Sequence, residues 1–245
     1  MLGKHHVSLT VATMIPFIVP LMFADNNTEL IPVYILFLVS GVIGSLIPDA
    51  DCGGKPKLYY DFKPVYDAMI TIQKLVVWIF RTLDQKDRLT LECQVDHSHR
   101  GIMHSPVGVI ISSVLLTLLA LVASIFLGFN TTMVLFIFVG LLSGQFLHLI
   151  EDSCTRTGIN WKFPFGLKQI KGNIITVSSS KIKDYRPSIY EISLWGITGI
   201  LIFGYAFEVI NFAYYLVYPL IFLVVVIMWI IIIYISKSTN KIWYQ

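Results

Sequence analysis

At 245 residues, 56% of them hydrophobic and only 13% charged, the chain is too apolar for a soluble domain, which carries roughly 25% charged residues. A mean hydropathy of +0.73 points to an integral membrane protein. The net charge of +3 is too small to argue for nucleic acid, so no direct nucleic-acid binding is expected, and three cysteines do not make a disulfide framework.

A spanning helix needs roughly 20 mostly apolar residues. In chain order the sequence predicts spans over 7–23, with Pro16 and Pro20 as kinks, then over 30–48, 107–129, 132–150, 189–210 and 213–235. In lipid these must be helices, because every backbone polar group needs an internal partner. The first run is read as a retained helix, since cleavage near Ala24 would put Met22 where a signal peptide needs a small residue. Two polar stretches interrupt the spans. In the first, 49–103, the apolar residues Ala68, Ile72, Leu75, Val76 and Ile79 recur at helical spacing, predicting an interfacial or re-entrant amphipathic helix over 66–80. The second, 151–188, mixes aromatics with lysines, as suits a membrane surface. The expected fold is all-α: about six transmembrane helices and one interfacial helix in a single membrane-embedded domain, 1–245, ending in a transmembrane hairpin over 189–235.

With six spans, both termini and both polar stretches share one side, and all 18 lysines and arginines lie there. The opposite turns hold only Asp25, Glu29 and Glu208 among charged residues. The positive-inside rule makes the basic side cytoplasmic, and Cys52, Cys93 and Cys154 on it fit a reducing compartment. The expected location is the cell's plasma or inner membrane. N-x-T sequons at Asn26 and Asn130 are read as chance, in turns too short to expose a glycan.

Metal-type residues gather at the cytoplasmic ends of the spans. His5 and His6 precede the first, Asp49 and Asp51 follow the second, His99 and His104 precede the third, and His148 and Asp152 close the fourth. His148 and Asp152 are i and i+4, on one helix face. Asp49 and Asp51, on an extended loop, would point the same way. Ser105–Pro106 reads as N-cap and first helical residue, with Gly101 allowing the bend between His99 and His104. Each element alone has a plainer reading: a solvated histidine (favoured for His5 and His97), a surface D-x-D, a hydrogen-bonded His–Asp pair. Together, at membrane depth where ionisable groups are costly, they point to a metal site.

The blocks PDAD, HRGIMHS and HLIEDSCTRTG, after an N-terminal histidine, resemble a family of membrane-bound metal-dependent hydrolases, the YdjM-type proteins, also labelled LexA-binding, inner-membrane-associated hydrolases. The matching residues are His6, Pro48, Asp49, Asp51, His99, Arg100, Gly101, His104, Ser105, His148, Asp152, Thr155 and Gly158, within 1–165. The family often has histidine where this chain has Cys52, and the polar insert before HRGIMHS is long, which bears on substrate contacts. A fainter likeness to zinc-dependent phospholipase C implies a site of two or three ions for phosphoester cleavage.

The expected ligands are therefore His6, Asp49, Asp51, His99, His104, His148 and Asp152, holding one to three divalent ions; imidazole and carboxylate suit Zn²⁺, and Mn²⁺ or Fe²⁺ also fit. Such an ion acidifies water towards a pKa of roughly 7. Asp51 or Asp49 would bridge ions or take the proton from water. Arg100 would bind a phosphate through its planar fork or serve as a positive-inside anchor. The lysines would attract an anionic lipid headgroup or another phosphorylated substrate. Two rival readings stand beside this one: a structural metal site anchoring a regulatory partner, to which the LexA-binding label points, and a metal-ion transporter, disfavoured because ligands cluster at span ends.

Overall fold

The computed structural model describes residues 3–24, 30–52, 55–85, 100–128, 130–166, 168–176, 184–210 and 214–239. Among them six helical segments are long and apolar enough to cross a membrane: α1 (Gly3–Ala24), α2 (Ile31–Leu46) together with its continuation to Asp51, α5 (Pro106–Leu127), α6 (Thr132–Ser153), α7 (Arg186–Ala206) and α8 (Tyr214–Ser236). Two further helices, α3 (Lys57–Asp61) and α4 (Lys63–Gln85), follow α2. The only strands among the described residues are β1 (Ile159–Asn160) and β2 (Gln169–Ile170), an antiparallel pair with Ile159 opposite Ile170.

α5 begins as its sequence demands. The Ser105 hydroxyl accepts the Gly108 N–H at 3.1 Å, Pro106 occupies the first turn, and Gly128 closes the helix at φ +70°. α1 runs unbroken through Pro16 and Pro20. Pro16 has no N–H for the carbonyl four residues back. That carbonyl, on Ala12, instead accepts the Thr198 hydroxyl of α7 at 3.2 Å.

α2 and α6 form the most extensive helix pair, and their backbones touch. A Cβ on Gly144 would lie 2.1 Å from the Gly41 carbonyl oxygen, and one on Gly44 would lie 2.5 Å from that of Leu141. Small residues at such a seam let membrane helices approach closely. This seam ends where Asp49 and His148 stand. One apolar cluster joins α2, α4 and the turns after α2 and before α5 through Leu46, Ile47, Met69, Val76, Ile102 and Met103. A second joins α1, α7 and α8.

α4 departs from its expected bounds and face. It runs over 23 residues. It buries Met69, Ile72, Val76, Val77 and Phe80, while Leu75 and Ile79 are exposed beside Trp78. The helix carries two adjacent apolar stripes, and only one packs on protein.

Candidate metal centre

His148 and Asp152 stand one turn apart at the end of α6, Nε2 of the first 3.9 Å from Oδ2 of the second. After α2 the chain turns through a short 3₁₀ helix, Pro48–Asp51, which sets Oδ1 of Asp49 3.7 Å from Nε2 of His148. A second 3₁₀ turn, Ile102–His104, is fully buried and packs so tightly on α5 that a Cβ on Gly108 would meet the Ile102 carbonyl. It aims Nε2 of His104 at Asp49 Oδ1, 3.6 Å away, and at Asp152 Oδ2, 3.9 Å away. α1 supplies His6, stacked on the His148 ring with centroids 3.9 Å apart and Nε2 3.6 Å from Asp152 Oδ1. The ligand atoms of His6, Asp49 and His148 lie within 4.8 Å of one another, as do those of His104, His148 and Asp152.

Every one of these rings turns Nε2 inward because something sits behind its Nδ1. The Ser45 carbonyl is 2.7 Å from Nδ1 of His148, Asp51 Oδ2 is 3.4 Å from Nδ1 of His104, and Glu151 Oε2 is 2.6 Å from Nδ1 of His6. A proton on Nδ1 of His148 donates to Ser45 and leaves Nε2 as a lone pair, buried without a hydrogen-bond donor among the described residues. Nitrogen and oxygen atoms 3.6–3.9 Å apart are too distant to hydrogen-bond each other. They stand about as far apart as two ligands of one ion bound at about 2.1 Å. The donor set, imidazole plus carboxylate, therefore fits a divalent cation. Burial opposes charge on His104, but the facing carboxylates of Asp49, Asp51 and Asp152 prevail and push its pKa up to about 9. Only Asp49 of the five converging side chains keeps solvent contact, 23% exposed, against 0–2% for the others.

The model of the YdjM inner membrane protein family matches residues 1–241. The chain belongs to that family. No curated protein and no solved structure matches it. The YdjM match runs well past residue 165, where the motif resemblance stops, and takes in α7 and α8.

Of the YdjM motif residues, the fold brings His6, Asp49, His104, His148 and Asp152 together. His99, like His97, lies outside the described residues. His5 points away to α7, its Nδ1 2.5 Å from Glu191 Oε1, so His6 is the member of the pair that faces the cluster. Asp51 lies behind His104, not beside Asp49: the loop is a 3₁₀ turn rather than extended, and its two carboxylates address opposite nitrogens of one ring. Cys52 is in neither group of ligand atoms, and burial, then Asp49 and Asp51, push its thiol up, away from the thiolate a metal needs. Arg100 places Nη2 2.7 Å from Asp152 Oδ2, while Nη1 donates to Thr155, Thr157 and the Gly158 carbonyl. The left-handed residue of this bend is Arg100 itself, at φ +64°, not Gly101.

Sequence reasoning missed Glu151 and the Ser45 carbonyl. A backbone acceptor leaves no mark in sequence. Glu151 did leave one: a carboxylate at the end of an apolar run, as costly there as His148 and Asp152.

Proposed function

We propose that this membrane protein is a metal-dependent hydrolase that cleaves a phosphoester at the cytoplasmic membrane surface. The observation that carries the reading is the convergence of three imidazole Nε2 atoms and two carboxylates, from four separate segments, at one end of the bundle. His6, Asp49, His104, His148 and Asp152 would hold the ion, with Zn²⁺ the best match to the donors. His148 is the one residue common to both ligand groups, and one imidazole lone pair serves one ion, which favours a single cation over two or three. A divalent ion there supplies Lewis acidity and an acidified water. Asp49, at the solvent edge, would hold the ion through Oδ1 and take the proton of an incoming water through its other oxygen. Asp51 holds His104 from behind, and Arg100 holds Asp152, so neither is free to meet substrate in this arrangement. The lysines and arginines flanking the site-bearing ends favour a cytoplasmic location and an anionic substrate, in a lipid headgroup or in solution.

The near-complete burial of the cluster favours a second reading, a structural metal site in a protein that anchors a regulatory partner, since structural sites are closed and catalytic ones keep an open position. Metal analysis of detergent-purified protein should find one zinc per chain, and none after joint His148→Ala and Asp152→Ala substitution. Hydrolysis of a soluble phosphodiester or of phospholipid vesicles should stop with EDTA, return with Zn²⁺ or Mn²⁺, and fail in a folded His104→Ala variant. No turnover on either substrate, with a lowered melting temperature in His104→Ala, would replace the enzyme by the structural reading. Ion uptake into sealed vesicles would point to a transporter.

A further inference from the structure

Glu151 is fully buried at the end of a membrane helix and belongs to neither group of ligand atoms. A carboxylate there is expensive unless something answers it. The next residue, Asp152, faces the cluster, and a step of about 100° along an α-helix turns Glu151 to another side. The two carboxylates thus bracket a single ring: Asp152 Oδ1 lies 3.6 Å from Nε2 of His6, and Glu151 Oε2 lies 2.6 Å from its Nδ1, within ion-pair distance and a small rotation short of hydrogen-bond alignment. His6 comes from α1, which meets α6 much less extensively than α2 does. His148, by contrast, is steadied by the Ser45 carbonyl across the α2–α6 seam.

We propose that Glu151 is a positioning residue for a bound divalent cation: by taking the Nδ1–H of His6 it fixes the ring with Nε2 turned to the ion. A carboxylate behind a ligating histidine sets its tautomer and orientation, and losing one typically weakens metal binding 10–100-fold. The inference rests on the metal reading above. Glu151 does not contact the ion and needs no reaction to reveal itself.

The test is a Zn²⁺ titration of EDTA-stripped, full-length protein in detergent against a competing chelator. It compares wild type, Glu151→Ala and Glu151→Gln, each also in a His6→Ala background. Glu151→Ala should bind Zn²⁺ about 10–100-fold more weakly. Glu151→Gln, whose amide oxygen still accepts from Nδ1–H, should return to within a few-fold of wild type. In the His6→Ala background Glu151→Ala should change nothing further. Wild-type affinity in Glu151→Ala, no rescue by Gln, or an equal loss without His6 would each overturn the role of Glu151 while leaving the metal site standing. A wild-type protein that takes up no Zn²⁺, Mn²⁺ or Fe²⁺ would overturn the metal reading, and this inference with it.

Discussion

Arg100 carries a backbone cost that its side chain explains. At φ +64° a non-glycine residue is strained by roughly 1–2 kcal/mol. The same turn aims its guanidinium at the buried carboxylate of Asp152, 2.7 Å away, and at the loop that follows α6. Lysine could supply the charge but not the fork that reaches Asp152 and the Thr155–Gly158 turn at once. Removing the arginine takes from the buried Asp152 a cation 2.7 Å away, and such losses are large even when one partner keeps some solvent. Arg100→Ala should therefore lower the stability of metal-free protein by on the order of 2 kcal/mol. Arg100→Lys should recover part of that, and added Zn²⁺ should narrow the gap by supplying a cation at Asp152. Thermal unfolding in detergent, with and without metal, reads all of this. A loss that Zn²⁺ leaves unchanged would mean that Arg100 serves the loop and not the carboxylate.

At the scale of elements, the seam between α2 and α6 is what sets Asp49 beside His148. A methyl on Gly144 would meet the Gly41 carbonyl oxygen at 2.1 Å and the Ser45 nitrogen at 2.8 Å, next to the carbonyl that orients His148. Gly144→Ala should cost roughly 1–3 kcal/mol by overpacking and weaken Zn²⁺ binding as well, although it touches no ligand. On α7 a Cβ at Gly196 or Gly199 meets nothing within 4 Å, so alanine there should be neutral or mildly stabilising. Equal behaviour of Gly144→Ala and Gly196→Ala, in melting and in metal titration, would remove the seam from the argument. The spans themselves were legible because twenty apolar residues in a row have one solution in lipid, and the Ser105–Pro106 start of α5 was legible because capping is local chemistry. The buried side of α4 was not. Leu75 and Ile79 are as apolar as Met69 and Val77, and periodicity does not say which stripe meets protein and which stays outside. Nor was the fate of Asp51 legible. In an extended chain residues two apart share a face, whereas at three residues per turn they diverge by about 120°.

At the scale of the whole molecule, the ligands all precede residue 153, yet the family match continues to 241, through α7 and α8. The contacts give a reason. α1, which carries His6, is held from the far side by this hairpin: Thr198 donates to the carbonyl that Pro16 leaves open, Trp229 Nε1 lies 3.3 Å from Thr13 Oγ1, and Glu191 pairs with His5. The hairpin's own ends are tied by Arg186, a fully buried arginine paired with Asp184. Its guanidinium also donates to carbonyls of Ile235, Ser236 and Ser238 at the end of α8 and of Asn173 in the chain leaving the site. The last carbonyls of a helix have no partners within it, so this one side chain closes α8 and fastens it to the stretch after α6. Arg186→Met fills similar space but takes the buried cation from Asp184, which keeps the backbone N–H groups of Ile175 and residue 186, and takes one donor from each of those carbonyls. It should cost on the order of 3–5 kcal/mol, the scale of breaking a buried pair. The melting temperature should fall by several degrees, and protease should gain access between α6 and α7. Because the hairpin steadies α1, Zn²⁺ affinity should fall too, in the same direction as for His6→Ala but by less. A variant that melts early yet binds Zn²⁺ as wild type would show that α7 and α8 hold the bundle without positioning His6, and the reason for their place in the family match would lie elsewhere.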